Sequence, residues 1–245
     1  MGVVVAVLAA AGAFIGWRLG APDGEGDGGG FGTPSIDPNS ACGGFTDEFD
    51  RDTVDTAWEK VRDGGLVLAG GAVEITAPDG SDIYETELRA PMLLRVPTGD
   101  YTVETDVAVS PGHFYQGAGL VLFNGSQNYV RLERGYGDLG AIIFEYKNAA
   151  AHVKVRSPHR GDPNLVATDA PRVQLRLTRT ASQVSAHWKP YGEAAWRDLG
   201  SVPIALPPGT KAGLSVLNRA QGAPLPAAKP LTARFEYARV SCGSA

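Results

Sequence analysis

The sequence predicts an all-β fold, with two antiparallel sheets stacked as a β-sandwich of the jelly-roll type. First, the 245 residues hold about a dozen short segments in which apolar and polar residues alternate, the period of a half-buried strand. Second, the chain contains 32 glycines and 17 prolines, so turns are frequent. Third, no segment beyond the N-terminus has helical periodicity, and strands without helices between them indicate antiparallel sheets.

The composition is that of a globular protein, with 43% hydrophobic and 20% charged residues. This length is enough for one large core or two small ones. The formal net charge is −5, and the sequence pI is about 5.4. Nucleic-acid-binding proteins usually carry a basic surface, so this charge argues against a nucleic-acid partner.

The N-terminus differs in composition from the rest of the chain. Residues 3–17 form an uncharged apolar run. A membrane-spanning helix needs about 20 such residues, so the run is long enough only with Met1, Gly2 and Leu19 added. It also resembles the apolar region of a signal peptide. We therefore predict that residues 1–19 form a membrane anchor or an export signal, and that the protein contacts a membrane only there. Residues 20–41, rich in glycine, proline and acids, are predicted to be a disordered linker. Residues 42–245 form the predicted jelly-roll domain.

The two cysteines bracket this domain. Cys42 precedes the first strand candidate and Cys242 follows the last. The termini of a domain often lie close together, so we predict a disulfide bond between them rather than two free thiols. A disulfide implies an oxidising compartment, which places the protein outside the cell or on its surface.

The strand candidates follow one another along the domain. Gly70 and Gly71 form a turn between the first two, and strict alternation from Tyr101 to Val109 gives one of the clearest. The predicted strands are Gly65–Ala69, Ala72–Thr76, Tyr84–Arg89, Tyr101–Val109, Gly117–Phe123, Asn128–Arg134, Ala141–Lys147, His152–Arg156, Arg172–Arg179, Val184–Lys189, Trp196–Leu199, Gly213–Leu217 and Ala233–Val240.

Polar residues recur on one side of the predicted strands. Because side chains alternate between the faces of a sheet, these residues would line a single face if their strands shared one sheet. The set is Glu104, Asp106, Tyr129, Arg131, Glu133, Glu145, Lys147, His152, Lys154, Arg156, Gln174, Arg176 and His187. Carboxylates and guanidinium groups bind sugar hydroxyls in pairs, and aromatic rings stack on sugar rings. The alternative is a solvated face with weak ion pairs.

The centre of this face is the strongest candidate for a glycan-binding site. The segment from residue 115 to residue 147 supplies two adjacent alternating strands and the residues just before them. The predicted ligand-binding residues are Tyr129, Arg131, Glu133, Glu145 and Lys147, with Tyr115 and Gln116 at the rim. The predicted partner is a glycan or polysaccharide.

The order of motifs resembles a known family. The motifs are Phe45-x-Asp47-Glu48-Phe49, Trp58, Ala90-Pro91-x-Leu93-Leu94, Gly99-Asp100-Tyr101-x-Val103-Glu104-Thr105, Tyr115-Gln116-Gly117-Ala118-Gly119-Leu120, Asn128-Tyr129-Val130-Arg131-Leu132-Glu133 and Phe235-x-Tyr237-x-x-Val240. Across residues 44–241 the chain resembles bacterial concanavalin A-like jelly rolls, namely the DUF1349 type and the C-terminal domain of β-xylosidases. The resemblance implies a carbohydrate-binding or accessory module of extracellular proteins.

Catalysis is the second hypothesis. Hydrolysis of a glycosidic bond needs two carboxylates, and Glu133 and Glu145 lie on strands predicted to be neighbours. Related jelly-roll glucanases carry E-x-D-x-x-E on one strand. The matching segment here has Glu104 and Asp106 but Val109 in the third position, so we favour binding without catalysis. A structural or sensory ectodomain without a sugar site is the third hypothesis.

The sequence predicts no cofactor. The four histidines, at 113, 152, 159 and 187, show no zinc-ligand spacing. The resemblance implies that a structural calcium ion can brace such folds. The acids that could bind one are Asp47, Glu48, Asp50 and Glu236, although ordinary surface acids are the favoured interpretation. Three tryptophans, Trp58, Trp188 and Trp196, are predicted to be core residues.

Overall fold

The computed structural model describes residues 35–36, 41–62, 65–84, 88–149, 151–219 and 229–243. All of its regular elements are strands. They are β1 (Ser35–Ile36), β2 (Phe45–Asp47), β3 (Glu59–Val61), β4 (Leu66–Leu68), β5 (Val73–Ala77), β6 (Met92–Arg95), β7 (Tyr101–Ala108), β8 (Gln116–Phe123), β9 (Asn128–Tyr136), β10 (Gly140–Asn148), β11 (Ala151–Arg156), β12 (Arg172–Arg179), β13 (Val184–Pro190), β14 (Arg197–Val202), β15 (Lys211–Asn218) and β16 (Leu231–Cys242). The prediction of an all-β chain is confirmed.

The strands form two antiparallel sheets. Sheet A has nine strands, in the order β1-β2-β16-β7-β12-β13-β14, with β5 paired to β16 and β4 paired to β5. Sheet B has seven strands, in the order β11-β10-β9-β8-β15-β6-β3. Each sheet mixes strands from both halves of the sequence, which is how jelly rolls are connected. The predicted sandwich is therefore confirmed.

The main hydrophobic core lies between the sheets. Every second residue of a strand points inward, so β8 contributes Ala118, Leu120 and Leu122, all fully buried. From sheet A, β12 contributes Leu175 and Leu177 in the same way. Full burial of each such leucine stabilises the fold by about 1.5–3 kcal/mol. Alternation in the sequence thus determines which residues face the other sheet.

A second, smaller apolar cluster lies on the outer face of sheet B. Val121 and Tyr129 of this face pack with Ile83, which comes from the loop between β5 and β6. The loop covers part of the sheet, and Tyr129 is 0% exposed beneath it. The outer face of sheet B is therefore partly enclosed by protein rather than uniformly solvated.

The predicted disulfide bond is confirmed. Cys42 and Cys242 are bonded, with an S–S distance of 2.04 Å and a Cα–Cα distance of 5.3 Å. They meet because β2 and β16 are neighbours in sheet A, where Phe45 lies opposite Val240. The bond joins residues 200 positions apart, and so links the segment just before β2 to the end of β16.

The structure corrects two predictions about faces. The thirteen polar residues do not share one face, because β7, β12 and β13 belong to sheet A and β9, β10 and β11 belong to sheet B. Glu104, Asp106, Gln174, Arg176 and His187 therefore lie apart from the candidate site. The sequence shows alternation but not which strands pair, so it could not separate the two groups.

Trp196 is also not a core residue, unlike Trp58 and Trp188. It is half-buried, and its ring lies under the Arg176 guanidinium at 4.1 Å and the Lys189 ammonium at 4.9 Å. The aromatic ring thus covers the outer surface of sheet A rather than filling the space between the sheets.

Three further predictions concern one strand, the linker and the N-terminal segment. The predicted strand Tyr84–Arg89 is not formed by its described residues, which belong to the loop over sheet B. Ser35–Ile36, inside the predicted linker 20–41, pair with β2. The predicted anchor, residues 1–19, lies outside the described residues. In the part of the chain that the structure describes, no helix is long and apolar enough to span a membrane.

Candidate functional site

Polar residues of β9, β10 and β11 are brought together on the outer face of sheet B, but the predicted Arg156 is not among them, because a register shift places it opposite the core residue Phe144. Arg131 of β9 lies opposite Glu145 of β10, and Glu145 in turn lies opposite Lys154 of β11. Residues in register on adjacent strands point to the same face. The three charged side chains therefore cross the sheet in one row near its edge.

A cavity of about 260 Å³ lies above this row. The strands provide its floor, and loops on either side provide its walls. The residues lining it are Asp82, Tyr84, Tyr115, Arg131, Glu145, His152, Lys154 and Arg219. A concave site with aromatic rings and a few convergent polar groups is the usual form of a small-ligand site.

Glu145 is the centre of the floor. Its Oε1 lies 2.8 Å from Arg131 Nε and 2.9 Å from His152 Nε2, and it accepts a longer hydrogen bond of 3.4 Å from the Tyr129 hydroxyl. Glu145 is 0% exposed and Arg131 is 8% exposed. A buried carboxylate needs such partners because its desolvation is costly. This cluster fixes the orientation of the Arg131 guanidinium at the cavity.

Glu133 is held much less tightly. Its Oε1 lies 3.9 Å from Arg131 Nη2, and its Oε2 is buried without a hydrogen-bond partner in the described ranges. Glu133 lines a small space of about 10 Å³ adjoining the cavity, together with Tyr115, Arg131 and Lys154. That volume is on the scale of a single water molecule. Glu133 is thus a buried acid whose cationic neighbours, Arg131 and Lys154, offset its burial only in part.

The two glutamates have opposite pKa shifts. Burial raises the pKa of Glu133 to about 7, and Arg131 only partly offsets this effect. Burial would also raise the pKa of Glu145, but the Arg131 charge and the His152 hydrogen bond outweigh burial and lower that pKa to about 2. At neutral pH the cluster therefore holds one ionised glutamate and one that is close to its midpoint.

One wall of the cavity is held by an ion pair between two loops. Asp82 Oδ2 lies 3.2 Å from Arg219 Nη1, and Asp82 Oδ1 accepts a hydrogen bond of 2.7 Å from the Ile83 amide. Arg219 also donates its backbone N–H to the Tyr115 carbonyl at 3.3 Å. These contacts connect the loop after β15 to both tyrosine-bearing segments.

Tyr115 has a left-handed backbone conformation, with φ of 61°. This conformation is unfavourable for a bulky residue and requires support from its surroundings. The Tyr115 amide donates to the Tyr136 carbonyl at 3.2 Å. The Gln116 side chain accepts from the amides of Gly112 and His113 and donates to Asn218 Oδ1. The backbone turn keeps Tyr115 38% exposed at the cavity.

Tyr84 lies at the other end of the cavity. The Lys147 ammonium is 4.3 Å from the centre of the Tyr84 ring, and the His152 ring is 5.1 Å away. Lys147 is only 8% exposed, so its charge is stabilised partly by the ring. The cavity thus has a tyrosine at each end and the Arg131–Glu145 pair between them.

The structure distributes the seven predicted binding residues over three positions. Tyr115, Arg131 and Glu145 line the cavity. Glu133 and Lys147 adjoin it through the small space and through Tyr84. Gln116 and Tyr129 do not line it, because Gln116 is 4% exposed and bonded to the loop before β8 while Tyr129 is 0% exposed in the apolar cluster. These two residues support the site without lining the cavity.

Five cavity residues were not among those seven. His152, Lys154 and Tyr84 carried a signal, since the first two belong to the alternating polar set and Tyr84 is an aromatic residue at a predicted strand end. Asp82 and Arg219 carried none. They lie in loops far apart in the sequence, and the backbone bridge between Ser81 and Asn218 brings them near each other.

Two of the four acids considered for calcium, Asp47 and Glu236, have other partners. The buried Asp47 carboxylate bonds to the Arg51 guanidinium, to Trp58 Nε1 at 2.7 Å and to the Phe49 amide at 2.9 Å. Glu236 pairs with Arg234 and Arg172. Within the described residues, no group of three or more potential ligands is arranged to hold a metal ion. Asp47 instead anchors the segment that follows β2.

The pKa of Glu133 gives the first testable prediction. The folded protein keeps this proton up to about pH 7, whereas the pKa of an unperturbed glutamate is 4.5. Between these values the folded state binds more protons than the unfolded state, so stability falls as pH rises. The decrease attributable to Glu133 is on the order of 3 kcal/mol. Glu133→Gln should remove this part of the pH dependence in urea unfolding measured from pH 5 to pH 8.

The wild-type curve provides the control, because all other titrating groups are common to both proteins. The difference between the two stability curves therefore reports Glu133 alone. Parallel curves over this pH range would contradict a raised pKa at Glu133.

Two antiparallel sheets enclosing one core, with a polar cavity on the outer face of the seven-stranded sheet, define the protein as a concanavalin A-like β-sandwich. The sequence profile of the β-xylosidase C-terminal concanavalin A-like domain matches residues 46–205. The chain belongs to that family. No curated protein sequence matches the chain.

Solved structures share the fold at low sequence identity. A GH43 protein, BlXynB from Bacillus licheniformis, matches with a TM-score of 0.67 and 17% identity over 81% of this chain and 39% of its own. A xylan β-1,4-xylosidase from Bacillus halodurans matches with a TM-score of 0.65 and 15% identity over 80% of this chain and 39% of its own. This chain thus spans about two fifths of the length of these enzymes.

Another solved structure matches this chain over nearly the whole of its own length. A functionally unknown protein from Saccharomyces cerevisiae matches with a TM-score of 0.60 and 14% identity over 78% of this chain and 98% of its own. The fold therefore also occurs in a chain that consists almost entirely of this domain.

Proposed function

We propose that the protein is an extracellular carbohydrate-binding module, exported through the membrane or tethered to it, whose ligand occupies the cavity on sheet B. The observation that carries this proposal is the cavity itself, with a tyrosine at each end and a fixed Arg131–Glu145 pair on its floor. Tyrosine rings stack on sugar rings, and paired charged groups bind adjacent hydroxyls. Family membership supports a carbohydrate-related role, and the disulfide bond supports an oxidising location.

The contacts favour binding over hydrolysis. A hydrolase would need Glu133 and Glu145 to flank one glycosidic bond. Arg131 contacts both carboxylates, and Glu145 is 0% exposed with three partners on one oxygen. Glu133 lines the adjoining small space rather than the cavity. The opposite pKa shifts of the two acids are the feature that keeps the hydrolase as the second candidate.

The proposal predicts that both tyrosines contribute to affinity. Tyr115→Ala and Tyr84→Ala should each weaken glycan binding about three- to tenfold through the loss of ring stacking. The measurement is affinity electrophoresis on a panel of plant, fungal and bacterial polysaccharides, followed by calorimetry on the best ligand. Tyr191→Ala is the matched control, because Tyr191 is 56% exposed and follows β13 of sheet A.

The outcomes separate the three hypotheses. Equal affinity in all three tyrosine variants would place the sugar outside the cavity. Absence of binding across the whole panel would favour the structural or sensory ectodomain. Release of reducing sugars by the wild type, abolished by Glu133→Gln, would favour the hydrolase.

A further inference from the structure

The Tyr115 end of the cavity carries an exposed lysine. Lys154 is exposed on β11, and its ammonium group lies 5.8 Å from the centre of the Tyr115 ring. Lys154 makes no ion pair with any residue that the structure describes, although the carboxylates of Glu145 and Glu133 lie on the next two strands. An ammonium group beside an aromatic ring, in a concave site, is a suitable donor for an anionic ligand.

The other charges facing this end do not cancel Lys154. From β9, Arg131 is matched by Glu145 of β10 at 2.8 Å. The carboxyl group of Glu133, also from β9, is near its midpoint at neutral pH because burial raises its pKa to about 7. His159, which lines the adjoining space, lies 3.6 Å from Asp138. Among the residues that line the cavity, Arg131, Lys154 and Arg219 are cationic and Asp82 and Glu145 are anionic, so the balance of charge there is positive.

This local charge contrasts with the rest of the protein. The chain has a formal net charge of −5, so it would not attract polyanions through its overall field. Any preference for an anionic ligand must come from a specific group of cations. Lys154 and the Arg131 guanidinium, which both line the cavity, form such a group. Arg131 Nη2 can contribute to it because its contact with Glu133 is long, at 3.9 Å.

We propose that the glycan bound in this cavity carries a uronic acid, whose carboxylate binds between Lys154 and Arg131 while its ring stacks on Tyr115. This inference rests on the proposed carbohydrate-binding function and specifies its ligand class. The sugar carboxylate would pair with the exposed ammonium group of Lys154. The ring hydroxyls would then face the Asp82–Arg219 pair on the cavity wall.

The test compares uronic-acid polysaccharides with their neutral counterparts. Polygalacturonate, alginate and glucuronoxylan are each used alongside the same polymer with its carboxyl groups chemically reduced to alcohols, so that only the charge differs. Wild-type protein should bind at least one acidic polymer about tenfold more tightly than its reduced form, with the preference weakening at high salt. Dextran sulfate paired with dextran tests whether sulfate can replace carboxylate.

Lys154→Gln removes the charge from an exposed residue, so the variant should fold normally. It should lose the preference for the acidic polymer while keeping its affinity for the reduced one. Lys60→Gln is the matched control, because Lys60 is exposed on β3 at the opposite edge of the same sheet. Lys60→Gln should bind as the wild type does.

Each outcome has a defined meaning. Equal binding to acidic and reduced polymers overturns the uronic-acid inference and leaves the carbohydrate-binding function in place. A preference that Lys154→Gln retains overturns the assignment of the carboxylate to Lys154. Binding to dextran sulfate as tight as to the acidic polymers overturns carboxylate recognition. Absence of binding to every polymer, charged or neutral, overturns the proposed function itself.

Discussion

Glu145→Ala is expected to lower the free energy of unfolding by about 3–5 kcal/mol. The substitution leaves the Arg131 guanidinium 8% exposed without its 2.8 Å partner. It also removes the acceptor of the His152 ring and of the Tyr129 hydroxyl. Because a buried charge cannot be solvated, the loss exceeds the value of the ion pair itself. Urea unfolding at pH 7 is the measurement.

Two further variants separate the charge effect from a packing effect. Glu193→Ala breaks the exposed pair with Arg197 and should cost less than about 1 kcal/mol. The double variant Arg131→Met with Glu145→Leu removes both charges and fills the space, so it should recover most of the loss. If the double variant were as unstable as Glu145→Ala, the cost would come from packing and not from an uncompensated charge.

Removal of the disulfide bond is expected to lower the free energy of unfolding by about 2–5 kcal/mol. The bond links residues 200 positions apart, so it strongly restricts the unfolded chain. The variant carries Cys42→Ala and Cys242→Ala, since Cys42 is 2% exposed and alanine adds no buried polar group. Urea unfolding of wild type and variant, each with and without reductant, measures the effect.

The sequence contains two cysteines, so the reductant should leave the variant unchanged. Reduction of the wild type should reproduce the stability of the variant. A variant as stable as the oxidised wild type would show that the cross-link contributes little to this fold.

The fold was predictable because it depends on local periodicity. Alternation along segments such as Tyr101–Val109 reflects one buried and one polar face, a property of each strand by itself. The disulfide was predictable because Cys42 and Cys242 flank the first and last predicted strands. The strands that were missed, such as β3 (Glu59–Val61), are short, and three residues are too few to show a period.

The candidate site was only partly predictable. Arg131 and Glu145 could be assigned to one face in advance because their strands follow one another along the chain and alternate, but the structure supplied their register. The burial of Tyr129 could not be foreseen, since it depends on the loop carrying Ile83, whose position over sheet B is not encoded in any nearby pattern. Asp82 and Arg219 were missed for the same reason.

By itself the sequence determined the class of fold, the disulfide bond and the polar row on the strands from residue 128 to residue 156. Each follows from strand periodicity or from proximity along the chain. The tertiary structure decided which polar residues share a face, how deeply each is buried and where the cavity lies. These properties arise from pairing between strands distant in sequence and from loops that fold back over sheet B. Burial then sets the electrostatics, so the same residue type, glutamate, has a raised pKa at position 133 and a lowered one at position 145.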